Sequence, residues 1–169
     1  YGDYSKVLGG EWMDGIKGVA EAKGYGDETI ESGVSVKFTA DEDSLFWIEK
    51  EVTNACRVTF RWKASCEPLF KGDPYDYLSF EVDGEEKGFV CGDIGWEEKS
   101  VEVLGDGIHR LRWCFQRDYE GSAGNDCAWL ADLEIVSAKR LTFDRGGATE
   151  GNVPDSLSLY EGESVILPD

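Results

Sequence analysis

The stretch CRVTFRWKAS at residues 56–65 constrains the fold of this chain more than any other feature. Its apolar residues recur at every second position, and polar residues fill the positions between them; the apolar set is Cys56, Val58, Phe60, Trp62 and Ala64. A period of two over this length is typical of an antiparallel strand that buries one face and exposes the other. The stretch therefore predicts a sheet that packs one side on a hydrophobic core.

Short apolar alternations recur along most of the chain, and glycine or aspartate separates them. They predict further strands near residues 33–38, 46–52, 78–82, 101–103, 111–115 and 129–135. No segment of the sequence combines a helical period with helix caps. Roughly eight to ten short strands of this kind predict an all-β protein, an antiparallel jelly-roll β-sandwich with a short C-terminal β extension.

The length of 169 residues is enough for one well-buried domain and a small appendage. We assign the sandwich to residues 1–138. Residues 139–169 carry strand patterns at Leu141–Gly147 and Val165–Pro168, but they are too few to bury a core of their own. We expect this segment to open a following module, and we interpret a chain that begins at Tyr1 as a piece of a longer precursor.

Acidic residues outnumber basic residues by 35 to 17, so the formal net charge is −18. A field of this sign repels nucleic acid and anionic membranes, and neither is an expected partner. No apolar run approaches the roughly 18 residues of a membrane-spanning helix. The charge suits a secreted protein that must stay soluble, or a protein that binds cations.

The sequence does not favour a zinc site. Its five cysteines form no C-x-x-C pair, and it has a single histidine, so few soft ligands are available. The odd number leaves at least one thiol free or paired outside this chain. Two disulfides are candidates, Cys66 with Cys127 and Cys91 with Cys114. Cys56 shares the apolar face of its strand and is predicted to be a buried free thiol.

The stretch EVDGEE has the E-x-D-x-x-E spacing of a catalytic strand in jelly-roll glucanases. A retaining glycosidase needs two carboxyl groups about 5–5.5 Å apart, which here requires one extended strand. However, Asp83-Gly84 lies inside the triplet, and an Asp-Gly pair between apolar alternations predicts a two-residue type I′ hairpin. The turn separates Glu81 from Glu86 and exposes both to solvent, so we predict a hairpin and no catalytic pair.

Other catalytic templates are missing from the sequence, which has no G-x-S-x-G, no H-E-x-x-H and no phosphate-binding glycine loop. His109 is the only histidine, and we expect it at a strand start on the surface. We therefore predict that the chain is not an enzyme.

Several stretches together resemble one family. They are FWIE from Phe46, CRVTFRWKASCE from Cys56, YLSFEVDG from Tyr77, GWEEKSV from Gly95, GIHRLRW from Gly107 and DCAWLAD from Asp126. In these stretches the chain is similar to concanavalin A-like jelly-roll modules, which are repeated in large surface and secreted proteins of bacteria. The likeness covers about residues 30–137, and relatives in that family include carbohydrate-binding modules and adhesion domains. The resemblance implies core positions for five tryptophans, Trp47, Trp62, Trp96, Trp113 and Trp129.

The tail resembles a second family. Leu141 to Pro168, with Thr-Phe-Asp-x-x-Gly-Gly and a later Leu-Pro, is similar to the start of a Listeria–Bacteroides repeat. That repeat is a small β-grasp module found in tandem in bacterial surface proteins. Together the two resemblances imply an extracellular or cell-surface bacterial protein of several domains, in which this chain is a monomeric module.

A sugar site needs aromatic rings to cover the C–H side of the sugar and planar polar groups to bind its hydroxyls. The loop GDPYDY brings Tyr75, Asp76 and Tyr77 together, and Arg117 and Tyr119 end another strand. Loops on a rigid sandwich are frequent places for binding residues. These five residues are the candidate carbohydrate site, and ordinary loop tyrosines are the alternative.

Calcium is the expected cofactor, in a structural role. Carboxylate oxygens suit this hard cation, and the resemblance to jelly-roll binding modules implies a site between the N-terminal segment and an aspartate on the last strand. Asp132 fits that aspartate, and Asp126 together with Glu11 or Asp14 are candidate further ligands.

The leading hypothesis is a non-catalytic carbohydrate-binding module that targets its parent protein to a polysaccharide. An adhesion or spacer module that contacts proteins and has no glycan site is the alternative. A glycoside hydrolase that uses Glu81 and Glu86 is a third and weaker interpretation.

Overall fold

The computed structural model describes residues 12–18, 23–30, 33–121, 123–146, 153 and 155–166. The described part forms strands and no helix, and therefore no helix long and apolar enough to cross a bilayer. The strands are β1 Met13–Gly18, β2 Lys23–Ile30, β3 Gly33–Thr39, β4 Ser44–Thr53, β5 Cys56–Ser65, β6 Tyr77–Val82, β7 Glu85–Val90, β8 Asp93–Val103, β9 Ile108–Arg117, β10 Cys127–Ser137, β11 Lys139–Leu141 and β12 Leu157–Leu159.

Two antiparallel sheets of five strands form the sandwich. The first sheet has the order β1-β4-β9-β6-β7, and the second has the order β2-β3-β10-β5-β8. From β3 to β6, and again from β7 to β10, every connection crosses from one sheet to the other. This is the winding of a jelly roll, and it confirms the predicted all-β jelly-roll sandwich.

The core lies between the two sheets and is rich in aromatic rings. Phe60 of the second sheet lies 5.0 Å from Phe80 and 5.4 Å from Trp113 of the first sheet, as ring centroids. Both contacts are close to perpendicular, which is a favoured geometry for aromatic pairs. The apolar residues of β5 are buried as its alternation predicts.

The predicted hairpin joins β6 to β7. Asp83 has φ 53° and Gly84 has φ 82°, the two left-handed residues of a type I′ turn. Glu81 on one strand pairs in register with Glu86 on the other, so the hairpin prediction is confirmed. The Asp83 amide donates to the carbonyl of Arg110, which ties the turn to β9.

The tryptophans divide between the core and the outer surfaces, so the expectation that all five belong to the core is wrong. Trp62 and Trp113 are buried between the sheets. Trp47 lies between the buried Phe46 and Ile48, and strand alternation therefore turns its ring to the outer side of the first sheet. Trp96 is half-buried on β8 of the second sheet.

Trp129 is buried on the outer side of the second sheet. Its neighbours Ala128 and Leu130 face the core, so its own ring points away from the core. The ammonium groups of Lys37 and Lys63 lie 5.6 Å and 4.3 Å from its ring centroid, and these side chains cover it.

All five cysteines are free thiols, so both candidate disulfides are wrong. Cys56 is buried and free, as predicted. The Cys66 thiol donates to the Asp76 carbonyl at 3.2 Å. Burial raises the pKa of Cys66 and that of Cys114 to about 12, which keeps both thiols protonated.

The C-terminal extension packs on the sandwich. β11 and β12 form a two-stranded ribbon, and the buried ring of Tyr160 lies 4.0 Å from the Arg57 guanidinium of β5. Arg57 also pairs with Glu163 at 2.9 Å. The predicted strand at Val165–Pro168 is wrong at residues 165 and 166, where Ile166 is 96% exposed, and residues 167 and 168 lie outside the described residues. The division at residue 138 stays a prediction.

Candidate functional site

The outer face of the first sheet carries three aromatic side chains that the core does not use. Trp47 on β4, Tyr77 on β6 and Phe89 on β7 alternate with buried residues and are each half-buried. We call these three residues the outer-face aromatics. Trp47 and Phe89 lie in one row across the four strands β4, β9, β6 and β7. The row runs from Trp47 through its partner Cys114 on β9 and then Ser79 on β6 to Phe89 on β7. With roughly 4.8 Å between strands, they span roughly 14 Å across the sheet.

Neighbouring side chains hold these rings in place. The rings of Tyr77 and Phe89 meet at 5.7 Å and 67°. The Tyr77 hydroxyl lies 3.5 Å from the Gln116 side-chain oxygen, and burial raises the pKa of Tyr77, so the hydroxyl stays neutral. The Arg112 guanidinium lies 4.7 Å from the Trp47 ring centroid, a cation–π contact that orients the ring.

A polar cleft of about 330 Å³ lies beside these rings, and its lining includes Arg112, the residue that contacts the Trp47 ring. Its lining includes Glu49, whose carboxylate is 4% exposed and is held by two arginines. Arg112 donates to Glu49 from Nη2 at 2.6 Å and from Nε at 2.8 Å, and Arg110 Nε lies at 3.0 Å. Because these contacts are charge-assisted, they offset much of the cost of burying the carboxylate.

Glu81 also lines this cleft and is half-buried. The prediction that the side chains of Glu81 and Glu86 are both exposed to solvent is therefore confirmed for Glu86 and wrong for Glu81. The reason is the sheet itself, since β6 has neighbours on both sides and its outer residues are flanked by the side chains of β9 and β7.

The arrangement can cover the apolar side of a sugar and bind its hydroxyls. Flat aromatic rings stand beside amide, guanidinium and carboxylate groups on one rigid sheet, which is the chemistry of a carbohydrate platform. The sequence reasoning missed Trp47, Phe89, Gln116 and Arg112 as candidates. The signal was present, because Phe46-Trp47 and Phe89-Val90 are adjacent apolar pairs, and only one member of such a pair can face the core of a strand.

The structure places the five predicted sugar-site residues in different environments. Tyr77 belongs to the outer-face aromatics, Tyr75 is 37% exposed in the loop before β6, and Tyr119 is 74% exposed after β9. Asp76 is fully buried, and Arg117 pairs with Asp126 at 2.8 Å. Asp76 and Arg117 are thus engaged inside the protein, and a loop site built on Tyr75 and Tyr119 stays a prediction.

The predicted calcium ligands are also spread out. The carboxylate of Asp132 lies 3.7 Å from Arg61, and that of Asp126 contacts Arg117. Six residues along a strand correspond to roughly 20 Å, so these two aspartates cannot share one ion. Glu11 lies outside the described residues, and a site that joins it to Asp132 stays a prediction.

A different acidic cluster appears at one end of the sandwich. Glu67, Asp76 and Asp118 each bring one carboxylate oxygen to within 4.8 Å of the others. Burial raises the pKa of Asp76 to about 6. The cluster joins the two ends of the β5–β6 loop to the loop after β9, so no local spacing in the sequence predicts it.

Asp83 of the hairpin turn pairs with His109 of β9, and this pair makes stability depend on pH. His109 Nδ1 lies 2.7 Å from Asp83 Oδ2, and the Arg110 amide donates to Asp83 Oδ1 at 2.8 Å. The hydrogen bond to Asp83 raises the pKa of His109 above its ordinary 6.5, and the same bond lowers the pKa of Asp83 below its ordinary 3.8. The pair stabilises the fold most between these two ordinary values.

We expect this stabilisation to be lost as the pH rises through the folded-state pKa of His109, above 6.5. Thermal unfolding of the wild type and of His109→Gln measures it at about pH 6 and about pH 8. The wild type should exceed the variant in Tm at the lower pH by more than at the higher pH. Glu85, Lys87 and Glu102 beside His109 are unchanged in both proteins and cancel in the comparison. A difference that stays constant or grows with pH contradicts the assignment.

No protein-family model matches the chain, and no curated protein matches it. Several solved structures align with it at low identity. The secreted serine protease VesC from Vibrio cholerae is 16% identical, with a TM-score of 0.49, over 60% of this chain and 21% of that one. The chain therefore spans about a fifth of that protein.

Carbohydrate-binding modules are among the other aligned structures. TmCBM61, in complex with β-1,4-galactotriose, is 16% identical with a TM-score of 0.46, over 79% of this chain and 92% of that one. The family 11 carbohydrate-binding module from Clostridium thermocellum, in complex with a β-1,3-1,4-mixed-linked tetrasaccharide, is 10% identical with a TM-score of 0.47, over 75% and 88%. At these identities and scores the alignments assign neither a ligand nor an activity to this chain.

Proposed function

We propose that the chain is a non-catalytic carbohydrate-binding module that holds a larger extracellular protein on a neutral polysaccharide. The outer face of the first sheet is the binding surface. The observation that carries this proposal is the set of outer-face aromatics, Trp47, Tyr77 and Phe89, held beside polar groups on one sheet. Large rings that are kept half-exposed on a rigid surface suit ligand contact, since they bury area with little loss of side-chain freedom.

The charge of the surface favours a neutral glycan over an acidic one. Four carboxylates line the cleft, those of Glu49, Glu51, Glu81 and Asp83, against the two guanidinium groups of Arg110 and Arg112. Both arginines contact the buried Glu49. The net charge of −18 adds long-range repulsion toward uronate or sulfate groups.

The positions of the carboxylates support binding without hydrolysis. Both oxygens of Glu49 are engaged by arginines, so neither is free to reach a glycosidic bond. Glu81 and Glu86 lie directly opposite each other on the two arms of the hairpin, but Glu86 is exposed to solvent. A glycosidase requires two carboxyl groups that flank one glycosidic bond, one of them kept protonated as the general acid.

Affinity electrophoresis of the whole chain tests the proposal. Gels contain mixed-linkage β-glucan, galactan, xylan or galactomannan, with polygalacturonate as the acidic comparison. We expect retardation in at least one neutral gel, none in the acidic gel, and no release of reducing sugar. An adhesion or spacer module would migrate freely in every gel, and that result would overturn the proposal. Hydrolysis that disappears in Glu81→Gln would establish the glycosidase instead.

A further inference from the structure

Two loops at one end of the sandwich, the β5–β6 loop and the β9–β10 loop, bring three carboxylates together. Glu67 follows β5, Asp76 precedes β6 and Asp118 follows β9. One carboxylate oxygen from each residue lies within 4.8 Å of the other two. Two oxygens on one calcium ion, each at 2.3–2.6 Å, are at most about 5 Å apart, so all three oxygens are near enough to share one ion.

Asp76 supplies an independent sign of a missing partner. The residue is fully buried, and its Oδ2 atom accepts no hydrogen bond from the described residues. Its Oδ1 atom accepts the Asp118 amide at 3.0 Å. Arg117 Nε lies 3.8 Å from Oδ2, beyond hydrogen-bond distance. A buried carboxylate oxygen without a donor is costly unless a cation compensates it.

The nearby arginine compensates this carboxylate only in part, through the ion pair of 3.8 Å. Arg117 places Nη2 at 2.8 Å from Asp126, and its Nη1 donates to the Ala40 carbonyl at 3.4 Å. Both Nη atoms are thus engaged away from Asp76, while Nε is buried, has no hydrogen-bond partner among the described residues and makes only the long ion pair with Asp76. When all are ionised, Glu67, Asp76, Asp118 and Asp126 carry four negative charges against the single positive charge of Arg117, which leaves the group strongly attractive to a divalent ion.

The backbone around the cluster holds the carboxylates close. Gly121 has φ 88°, which favours glycine, and a Cβ atom at this position would lie 2.7 Å from Glu67 Oε1, so the loop after β9 passes close to the Glu67 carboxylate. The Glu120 amide donates to Asp118 Oδ1 at 3.1 Å and orients that side chain. The second oxygen of Asp118 remains available to a ligand.

We propose that Glu67, Asp76 and Asp118 bind one hard divalent cation, calcium, and that the ion ties the β5–β6 loop to the β9–β10 loop at this end of the sandwich. The donor set consists of carboxylate oxygens, without histidine or thiolate, and this favours calcium or magnesium over zinc or copper. Loop ligands permit the irregular, larger coordination shell of calcium, whereas magnesium demands a near-ideal octahedron. The site differs from the sequence-predicted one, since it uses neither Asp132 nor Glu11.

Calorimetric titration with calcium chloride, together with thermal unfolding in calcium and in chelator, tests this site on the whole chain. We expect one calcium ion per chain. Calcium at about 100 times its Kd should raise Tm by roughly 5–10 °C above the value in chelator. Glu67→Gln and Asp118→Asn should weaken calcium binding at least tenfold, and magnesium chloride should bind more weakly than calcium.

Two variants separate a lost ion from a lost fold. Asp76→Asn removes the buried charge, so it should unfold in chelator at or above the wild-type temperature while losing the calcium shift. Glu120→Gln removes an exposed charge from the same loop and should keep the wild-type shift and affinity. No heat of binding and no Tm shift in the wild type overturns the proposal. A shift that persists in Glu67→Gln and Asp118→Asn, or that magnesium matches, is general charge screening and also overturns it.

Discussion

Trp113→Ala is expected to lower the free energy of unfolding by about 3–5 kcal/mol, the largest stability loss of any single substitution considered. The Trp113 ring is fully buried and touches Phe60, Phe80 and Trp12, with ring centroids 5.4, 4.7 and 5.6 Å away. Removing it leaves a cavity at the centre of the sandwich. For a chain of this size the loss corresponds to a fall in Tm of roughly 6–20 °C, measurable by calorimetry or circular dichroism.

Two control variants test whether the loss of stability comes from the packing of the Trp113 side chain. Trp113→Phe keeps an aromatic ring and removes an indole N–H that has no hydrogen-bond partner among the described residues, so it should cost much less than alanine. Trp96→Ala removes the same side chain from the outer surface of the second sheet and should change Tm little. Equal losses for Trp113→Ala and Trp96→Ala would contradict the assignment of Trp113 to the core.

Trp47→Ala is expected to weaken glycan binding at least tenfold, and Tyr77→Ala should do the same. Each substitution removes an aromatic surface from the proposed platform, and a tenfold loss corresponds to about 1.4 kcal/mol of binding free energy. Rings that anchor a ligand commonly cost this much or more when truncated. Calorimetric titration with the polysaccharide that retards the wild type most strongly gives the affinities.

Trp96→Ala is the matched control for this loss too. Trp96 is a half-buried tryptophan with cationic neighbours, Arg61 at 5.9 Å and Lys63 at 5.7 Å from its ring centroid, but it lies on the second sheet. Its removal should leave binding unchanged. If Tyr75→Ala or Tyr119→Ala abolishes binding while Trp47→Ala does not, the glycan sits on the loops and the platform assignment is wrong.

The alternation of apolar residues was enough to predict the sandwich and the strands β3 to β6 and β8 to β10, but it did not predict β1 and β2. The alternation predicts β5 correctly because one face of that strand packs on the core and the other faces solvent. Every residue from Cys56 to Ala64 follows this alternation. The turn at Asp83-Gly84 was equally readable, since few other residue pairs accept two positive φ angles. These are local rules, and they need no knowledge of distant parts of the chain.

The outer-face aromatics were harder to predict. A tryptophan in a strand is normally assigned to the core, and only the strand register shows whether its side chain points toward the core or away from it. Trp47 follows a phenylalanine, and the burial of Phe46 decides its direction. Trp129 precedes a β-bulge on its strand, where the register shifts between Ala131 and Glu134 and Asp132 has φ 52°. Because the bulge adds a residue, the alternation of inward and outward side chains cannot be carried across it to Trp129 from the far end of the strand.

The acidic cluster lies beyond local reasoning altogether. Glu67, Asp76 and Asp118 are brought together by the crossing of strands between the two sheets, and each looks like an ordinary loop carboxylate in the sequence. The buried state of Asp76 follows from how the loops close over it. Such a contact depends on the complete topology, which the alternation of residues does not encode.

An NMR titration of backbone amides and indole N–H groups, with the glycan that binds most tightly, tests the central claim most directly. We predict shifts at Trp47, Tyr77, Phe89, Arg112 and Gln116 on the outer face of the first sheet. The indole signals of Trp96 and Trp129 on the second sheet should stay in place. Shifts confined to the second sheet, or to the loops of Tyr75 and Tyr119, would contradict the claim that this face is the glycan-binding surface.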